Sequence, residues 1–266
     1  MNKQKDLRVA VFLYGQPRFL DNPYAYSSQK KYIFDRYDTD VFAHQWWSSK
    51  EKSYGYSKWE GGGTYHPFLD ENRLQITDDA INIIKERYNP VRIKVEPSQT
   101  FSNEDLYNSI TEAFQNEGRF TRHNLSTFFS QAQSIEKVTE LYEEYLSEGG
   151  KPHDLIVMLR TDLNIQHYPD FRELDKSKYY ISNHHNDFPD LAIIMGTKFL
   201  KSNKIYSYMM SKGCVNDVFK MPSAYGEMFK LFTFAKYFPT SDIVPIHLPC
   251  FVVRDNSETG ANLNLT

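Results

Sequence analysis

The chain has 266 residues, which is enough for one large domain with a substantial core. Hydrophobic residues make up 40% and charged residues 24%, a balance typical of a soluble globular protein rather than a disordered one. The net charge of −3 provides no basic field for a nucleic acid, so we exclude that partner. No stretch approaches the ~20 apolar residues that cross a bilayer, which excludes a transmembrane segment and leaves at most peripheral contact with a membrane.

The cysteines and the N-terminus bear on the compartment. Cys214 and Cys250 form neither a CxxC motif nor a metal-binding spacing, so a reduced protein is the simplest interpretation. The first apolar run, Val9–Leu13, is too short for the apolar region of a signal peptide. We therefore expect a cytoplasmic protein.

The first part of the chain alternates apolar strands with capped helices. The predicted elements are a strand at Arg8–Tyr14, a helix begun by Asn22 and Pro23, a strand at Asp40–His44, a helix capped by Thr77, a strand at Val91–Glu96, a helix whose capping box is Ser102 and Asp105, a long helix at Asn124–Leu146 and a strand at Leu155–Arg160.

The later part of the chain is predicted to contain shorter elements. They are strands in "KYYIS" and "LAIIMG", helices near Lys198–Met210 and Ala224–Phe238, and a last strand in "IVPIHLPCFVV" whose two prolines favour a sheet edge. This order predicts an α/β fold with a mostly parallel central sheet flanked by helices.

A long segment without a periodic pattern runs over Gln45–Gln75. It holds Gly61–Gly63 and all three tryptophans. Loops of this length are usually functional or disordered, and we predict a mobile flap over a ligand site. Trp46 and Trp47 either stack a sugar or a base, or plug the segment onto the sheet.

Several common site motifs are absent from the sequence. There is no GxGxxG, GxxxxGK[ST], GxSxG or HExxH, which excludes the corresponding dinucleotide, P-loop, serine hydrolase and zinc protease sites. Ligands of parallel sheets bind beyond the carboxyl ends of the strands. Those ends carry Gly15–Arg18, His44–Trp46 and Arg160–Asp162.

Two charged residues follow the most apolar strand. Asp162 is a hard oxygen ligand that would hold Mg²⁺ or Mn²⁺ against a diphosphate. Arg160 would pair with a phosphate or fix the aspartate. The alternative is a purely structural Arg–Asp pair at a strand end, and the spacing alone does not separate the two readings.

The motifs at these strand ends resemble those of GT-A-type nucleotide-sugar glycosyltransferases. More narrowly, they resemble small bacterial and viral sugar transferases of the lipopolysaccharide and capsule kind. The matching residues are Gly15 to Arg18 in a turn after the first strand, Asp40, Phe42, His44 and Trp46 in the second strand, and Arg160, Asp162 and Leu163 after the later strand.

The resemblance implies a GT-A-like, Rossmann-like single domain over residues 1–266. About 7–165 would bind the nucleotide sugar, and about 166–266 would form a smaller acceptor side. The implied activity is transfer of a hexose-like sugar to a glycan or another hydroxyl acceptor, in polysaccharide biosynthesis. The implied donor-binding residues are Gly15, Gln16, Arg18, His44, Trp46, Arg160 and Asp162.

The resemblance also implies a metal. Related enzymes carry a metal-binding Asp-x-Asp where this chain has Arg160–Asp162, and some place a third ligand where His247 lies. We therefore expect Mg²⁺ or Mn²⁺ at Asp162 and His247. Because Arg160 replaces the first acid, the arginine would supply part of the cation's charge. A lone histidine in a last strand is otherwise structural.

Sugar transfer with inversion needs a carboxylate that takes the proton of the acceptor hydroxyl. Asp187 and Asp190, in the polar stretch "NHHNDFPD", and Glu227, near the start of a helix, are the candidates. A helix cap or a solvated face explains each of them equally well.

Two other classes of function stay open. A non-catalytic relative that binds a nucleotide or a glycan is favoured by the missing first acid at Arg160. A metal-dependent phosphohydrolase would need a denser acidic cluster at strand ends, where only Asp162 is clearly placed.

Overall fold

The structure is a computed structural model, and it describes residues 7–18, 20, 23–48, 79–114, 121–183, 192–223 and 226–252. Its centre is a seven-stranded sheet, and a separate two-stranded sheet lies beside it. The strands are β1 (Arg8–Gly15), β2 (Asp38–Trp46), β3 (Arg92–Glu96), β4 (Leu155–Leu159), β5 (Leu163–Ile165), β6 (Tyr179–Ser182), β7 (Ile193–Gly196), β8 (Ile243–Ile246) and β9 (Cys250–Val252).

The order of strands in the large sheet is β3-β2-β1-β4-β7-β6-β8. Strands β3, β2, β1 and β4 are parallel to one another. Strand β7 is antiparallel to both of its neighbours, and β8 is parallel to β6. The predicted α/β fold with a mostly parallel sheet is therefore confirmed.

Helices cover both faces of this sheet. They are α1 (Pro23–Gln29), α2 (Ala80–Tyr88), α3 (Glu104–Ala113), α4 (Arg122–Ser147), α5 (Ile205–Met209), α6 (Lys212–Asp217) and α7 (Gly226–Tyr237). Among the described residues, no helix is long and apolar enough to cross a membrane.

Strand β1 is apolar on both faces because each face lies in its own core. Phe12 belongs to the cluster formed with α3 to α7, and Val11 belongs to the cluster that contains the buried residues of α2 and β5. Both side chains are fully buried. Successive residues of a strand point to opposite faces, so a central strand between two helical layers has no polar face.

Helix α4 is the longest helix and crosses behind β1 and β2. Thr121 and Asn124 form a capping box at its start, each side chain bonded to the other residue's backbone N–H. Its inward side includes Phe129, Ile135 and Tyr142, all fully buried. This packing lays the helix along β1 and β2, with Tyr142 against Phe42 and Ser134 at the carboxyl ends of the two strands.

Three element predictions need correction. The helix predicted at Lys198–Met210 is a 3-10 helix at Thr197–Asn203 followed by α5. Asn203 is buried there and donates its amide to the hydroxyl of Thr139, a tertiary contact that overrides helical continuity. The third helix starts at an N-cap of Asn103, whose side chain accepts from Leu106 N, rather than at a box of Ser102 and Asp105.

The third correction concerns the last predicted strand. It is two strands in different sheets, β8 at the edge of the large sheet and β9 paired with β5. The residues between them leave the ladder, and the carbonyl of Pro249 accepts instead from Gln166 N. Proline has no N–H for a ladder, so the chain changes sheets at this point.

Candidate functional site

The strand order reverses between β1 and β4. Strands β2 and β3 lie on one side of this point, and β7, β6 and β8 lie on the other. In open α/β sheets such a point leaves a crevice at the carboxyl ends of the strands, where ligands bind. The two segments that leave β1 and β4 here are Gly15–Arg18 and Arg160–Asp162.

Gly15 gives the first segment its sharp turn. Its φ is +97°, in the left-handed region that favours glycine. No atom lies within 4 Å of the place where a Cβ would stand, so the backbone angle and not the space requires glycine. The Gly15 N–H donates to Ser134 Oγ of α4 at 2.7 Å, which anchors the turn to the helix behind the sheet.

A directed chain of hydrogen bonds continues from this anchor. Ser134 Oγ lies 2.8 Å from Nδ1 of His44, and Nε2 of His44 lies 2.9 Å from Oε2 of Glu96. Because an ionised Glu96 accepts from Nε2–H, Nδ1 is left as the acceptor of the serine hydroxyl. The order is therefore Gly15 N–H to Ser134, Ser134 O–H to His44, and His44 N–H to Glu96.

Burial and hydrogen bonding set the charge states of His44 and Glu96. Desolvation lowers the pKa of His44, which outweighs the opposite effect of its hydrogen bond with Glu96. Desolvation raises the pKa of Glu96, but the hydrogen bond from His44 and the charge of Lys94 bring it below its usual value. A neutral imidazole beside an ionised carboxylate is therefore the state at neutral pH.

His44 and Trp46 lie inside the protein rather than on an open wall. His44 is fully buried and Trp46 is 1% exposed. The indole N–H donates to the carbonyl of Ser130 at 2.9 Å, and the ring meets His44 edge-on at 4.6 Å. This placement supports β2 and α4 from within. Direct contact of either residue with a donor stays a prediction.

The two turns are bonded to each other. The backbone N–H of Arg18 donates to Thr161 Oγ1 at 3.1 Å, and the hydroxyl of Thr161 donates back to the Arg18 carbonyl at 3.1 Å. The Arg18 guanidinium donates from Nε to the side-chain carbonyl of Gln16 at 3.0 Å. Arg18, and Gln16 bonded to it, thus lie next to the segment that follows β4. Donor binding by these residues stays a prediction.

Arg160 and Asp162 form a two-point ion pair. Nε of Arg160 donates to Oδ1 of Asp162 at 2.9 Å, and a terminal nitrogen donates to Oδ2 at 2.7 Å. The aspartate side chain is 2% exposed and the arginine side chain is 21% exposed. The carboxylate of Asp162 is therefore buried, and the Arg160 side chain is partly exposed to solvent.

Further bonds hold the backbone around this pair. The side-chain amide of Gln29 donates to the carbonyls of Arg160 at 3.0 Å and Leu163 at 2.7 Å. The hydroxyl of Tyr88 donates to the Gln29 side-chain carbonyl at 2.8 Å. Burial raises the pKa of Tyr88 far above its usual value, so the phenol keeps its proton and its role as a donor. Preorganisation of this kind suits a binding site.

The described residues do not provide a ligand set that fits a divalent cation. Both oxygens of Asp162 are occupied by Arg160. No group of three or more His, Cys, Asp or Glu in the described part of the chain is arranged to hold a metal ion. His247 follows β8, at the far edge of the sheet from β3, and is exposed. The expected Mg²⁺ or Mn²⁺ at Asp162 and His247 stays a prediction.

The structure does not test the candidate proton acceptors. Asp187 and Asp190 lie outside the described residues, as does most of the predicted flap at Gln45–Gln75. Glu227 is the second residue of α7 and half-buried. A carboxylate in the first turn of a helix is stabilised by the helix dipole, which is a structural reason for its position. Its catalytic role stays a prediction.

Four residues that shape the site have roles that the sequence does not predict. These are Gln29, Glu96, Ser134 and Thr161. Each reaches its partner over a long sequence separation, as Ser134 does to Gly15 over 119 residues. The only sequence signal for Ser134 is a small polar residue on the buried side of a long helix. Thr161 lies between the two charged residues that drew attention, and its own contact is with Arg18.

None of the protein-family models and none of the curated proteins matches this chain. Among solved structures, mouse xyloside xylosyltransferase 1 in its apo form is similar at 9% identity over 90% of this chain and 85% of that chain, with a TM-score of 0.35. The galactosyltransferase LgtC, in complex with donor and acceptor sugar analogs, is similar at 12% identity over 89% of this chain and 72% of that chain, with a TM-score of 0.36. At such identities and TM-scores the likeness does not decide the activity of this chain.

Proposed function

We propose that this protein is a glycosyltransferase that moves a sugar from a nucleotide-sugar donor to a glycan or another hydroxyl acceptor. The observation that carries the proposal is the pairing of two arginine-bearing turns at the β1/β4 crevice. Arg18 and Arg160 lie on segments bonded to each other through Thr161. Arginine is the residue best suited to grip the oxygens of a diphosphate, because its planar fork donates in fixed directions.

The chemistry of sugar transfer matches what these residues offer. Displacement at the anomeric carbon breaks the bond to the diphosphate, and negative charge grows on the leaving oxygen. Fixed donors aimed at that charge stabilise the transition state because they need no reorganisation during the reaction. Asp162 holds the Arg160 guanidinium in one orientation at 2.7 and 2.9 Å. The aspartate thus acts through the arginine in this proposal.

A second candidate is a relative that binds a nucleotide or a glycan without turnover. The observation that favours it is the occupied carboxylate of Asp162, whose oxygens both accept from Arg160. In this alternative Arg160 closes the place of a cation, and the crevice recognises its ligand only. A phosphohydrolase has less support, because the described residues lack the acidic metal cluster that it needs.

The test is to incubate the protein with UDP-, GDP- and CMP-sugars, each with and without Mn²⁺. The release of nucleotide and free sugar is measured together with the thermal shift that each donor produces. Slow donor hydrolysis with a thermal shift supports the transferase. A thermal shift without any release supports the binding relative. No shift and no release across the panel contradicts both.

A further inference from the structure

The segment after β4 carries an ion pair at the place where the family resemblance implies a divalent cation. Asp162 is the one carboxylate of Arg160–Asp162, and its two oxygens accept from Arg160 at 2.9 and 2.7 Å. Mg²⁺ and Mn²⁺ bind about six oxygen ligands. A cation at Asp162 would therefore have to displace the guanidinium from both oxygens and to find most of its ligands elsewhere.

Burial is a second obstacle to a cation. The Asp162 side chain is 2% exposed, whereas that of Arg160 is 21% exposed. A magnesium ion usually keeps several of its water molecules when it binds a protein, and a carboxylate so little exposed leaves little room for them. The arginine is therefore the member of the pair that a ligand from solvent reaches more easily.

The backbone oxygens beside the pair are also occupied. The carbonyl of Arg160 accepts from the side-chain amide of Gln29 at 3.0 Å and from the N–H of Leu163 at 3.2 Å. The carbonyl of Leu163 accepts from the same amide at 2.7 Å. Gln29 is fully buried, so this amide is a fixed part of the segment's surroundings. These neighbours donate hydrogen bonds, whereas a cation needs oxygens that can coordinate it.

The charge balance explains how the segment works without a metal. Two carboxylates with one divalent cation carry no net charge, and neither do Arg160 and Asp162 together. The ion pair thus reproduces the balance of the implied site with one acid fewer and no cation. Arg18 brings a second guanidinium on the neighbouring turn, which is bonded to this segment through Thr161. Guanidinium groups donate to phosphate oxygens in a fixed planar geometry.

We infer that the crevice binds the diphosphate of the donor through Arg18 and Arg160 without a divalent cation. Asp162 is then a positioning residue for the guanidinium of Arg160 and not a metal ligand. The inference rests on the proposed function, and it opposes the Mg²⁺ or Mn²⁺ that the family resemblance implies. The two accounts predict different effects of a chelator on donor binding.

The experiment measures the affinity of the full chain for UDP and for GDP by calorimetry, once in EDTA and once in excess Mn²⁺. We expect the dissociation constant of the preferred nucleotide to agree within about two-fold between the two conditions. A constant that is lower in Mn²⁺ by about ten-fold or more overturns the inference and leaves the proposed function standing. If neither nucleotide binds in either condition, the proposed function fails and the inference fails with it.

Arg160→Asp tests the assignment from the other direction, because it places a second carboxylate two residues before Asp162. We expect the affinity for the nucleotide in EDTA to fall by about ten-fold or more, since a guanidinium is lost and a like charge is gained. The matched control is Arg172→Asp, beside Asp170 in a more exposed pair with the same spacing, which should bind as the parent does. If Arg160→Asp keeps the parent's affinity in EDTA, the inference is wrong.

Asp162→Asn keeps the test decisive if circular dichroism shows that Arg160→Asp does not fold. This variant retains the size of the side chain but not its charge. We expect weaker nucleotide binding by the same factor in EDTA and in Mn²⁺, because Asp162 acts through Arg160. A loss of affinity in Mn²⁺ alone would identify the aspartate as a metal ligand and would contradict the inference.

Discussion

At the scale of single residues, substitutions in the Arg160–Asp162 pair show whether it binds the donor or only stabilises the fold. Asp162→Asn removes the charge that orients the guanidinium. We expect a loss of about 2–4 kcal/mol of transition-state stabilisation, the range for preorganised electrostatic groups, with a folded protein. Arg160→Lys should also lower turnover, because a point charge does not replace a planar fork. Donor turnover and the melting temperature are measured together.

The chain offers a matched control for this pair. Asp170 and Arg172 have the same spacing, and NH1 of Arg172 lies 3.1 Å from Oδ1 of Asp170. Both side chains are more exposed, at 33% and 38%, and they lie away from the crevice. Asp170→Asn should leave turnover unchanged. If Asp162→Asn lowers the melting temperature sharply while turnover survives, the crevice pair is structural.

Gly15 provides a second prediction at this scale. Gly15→Ala forces an L-residue to keep a φ of +97°, which costs about 1–2 kcal/mol in stability. The alternative is a rearranged turn, which moves Gln16 and Arg18. We expect weaker binding of a nucleotide sugar in a thermal-shift titration.

Gly149→Ala is the control, because Gly149 has a φ of +90° and equally open space. It lies just after α4, past its C-cap at Glu148. It should lower stability by a similar amount without changing ligand affinity. Equal affinity losses in both variants would show that strain alone, and not the position of the Gly15 turn, explains the result.

At the scale of elements, α4 supports the crevice through Ser134 and depends on its N-terminal cap. Thr121→Ala removes the side chain that accepts from Asn124 N. We expect the free energy of unfolding to fall by about 1 kcal/mol, the usual value for a lost cap. Urea unfolding measures the change. Thr127→Ala, at an exposed position inside the same helix, should not destabilise, and an equal loss there would contradict the assignment of the cap.

Elements with a strong local signal could be predicted from the sequence. The runs that became β1 and β4 are apolar, β2 is apolar over its buried half, and α4 carries an apolar stripe on its buried side. The sequence predicts one helix over Lys198–Met210, and its break near Asn203 could not be foreseen. The contact of Asn203 with Thr139 is tertiary and leaves no local signal. The strand split at Pro249 has a local cause, but the pairing of β9 with β5 joins residues far apart in the sequence.

The sequence likewise predicts some residues of the site but not the contacts that they make. Gly15, Arg18, Arg160 and Asp162 stand at the ends of strong strands, and the topology of a parallel sheet brings such ends to one edge. What they contact there depends on neighbours that the sequence does not identify. The hydrogen bonds of Ser134 with Gly15 and of Gln29 with Arg160 span 119 and 131 residues. At such separations, the local sequence around a residue does not identify its partner.

At the scale of the whole molecule, two buried histidines make stability depend on pH. Desolvation lowers the pKa of His44, and desolvation with the charge of Arg8 lowers that of His153. Between each lowered pKa and the unfolded value of about 6.5, the unfolded chain binds more protons than the folded one. The free energy of unfolding should therefore fall as the pH drops below about 6.5.

Urea unfolding over this pH range tests the effect. His153→Gln keeps a polar side chain opposite Asp40 but removes one titrating group, so its stability should fall less steeply with acid. The carboxylates with lowered pKa values, such as Glu96, lose their contribution only at more acidic pH. If the free energy of unfolding instead rises as the pH is lowered below about 6.5, the two imidazoles are not neutral in the folded protein.

The proposed sugar transfer requires the crevice between β1 and β4 to bind the diphosphate of a nucleotide sugar. A crystal structure of the full chain with the nucleotide sugar that gives the largest thermal shift tests it most directly. We predict diphosphate oxygens within hydrogen-bonding distance of the guanidinium of Arg18 or Arg160, with the Arg160–Asp162 pair intact. A diphosphate bound at another edge of the sheet, or an Arg160 that stays turned away from the ligand, would contradict the account.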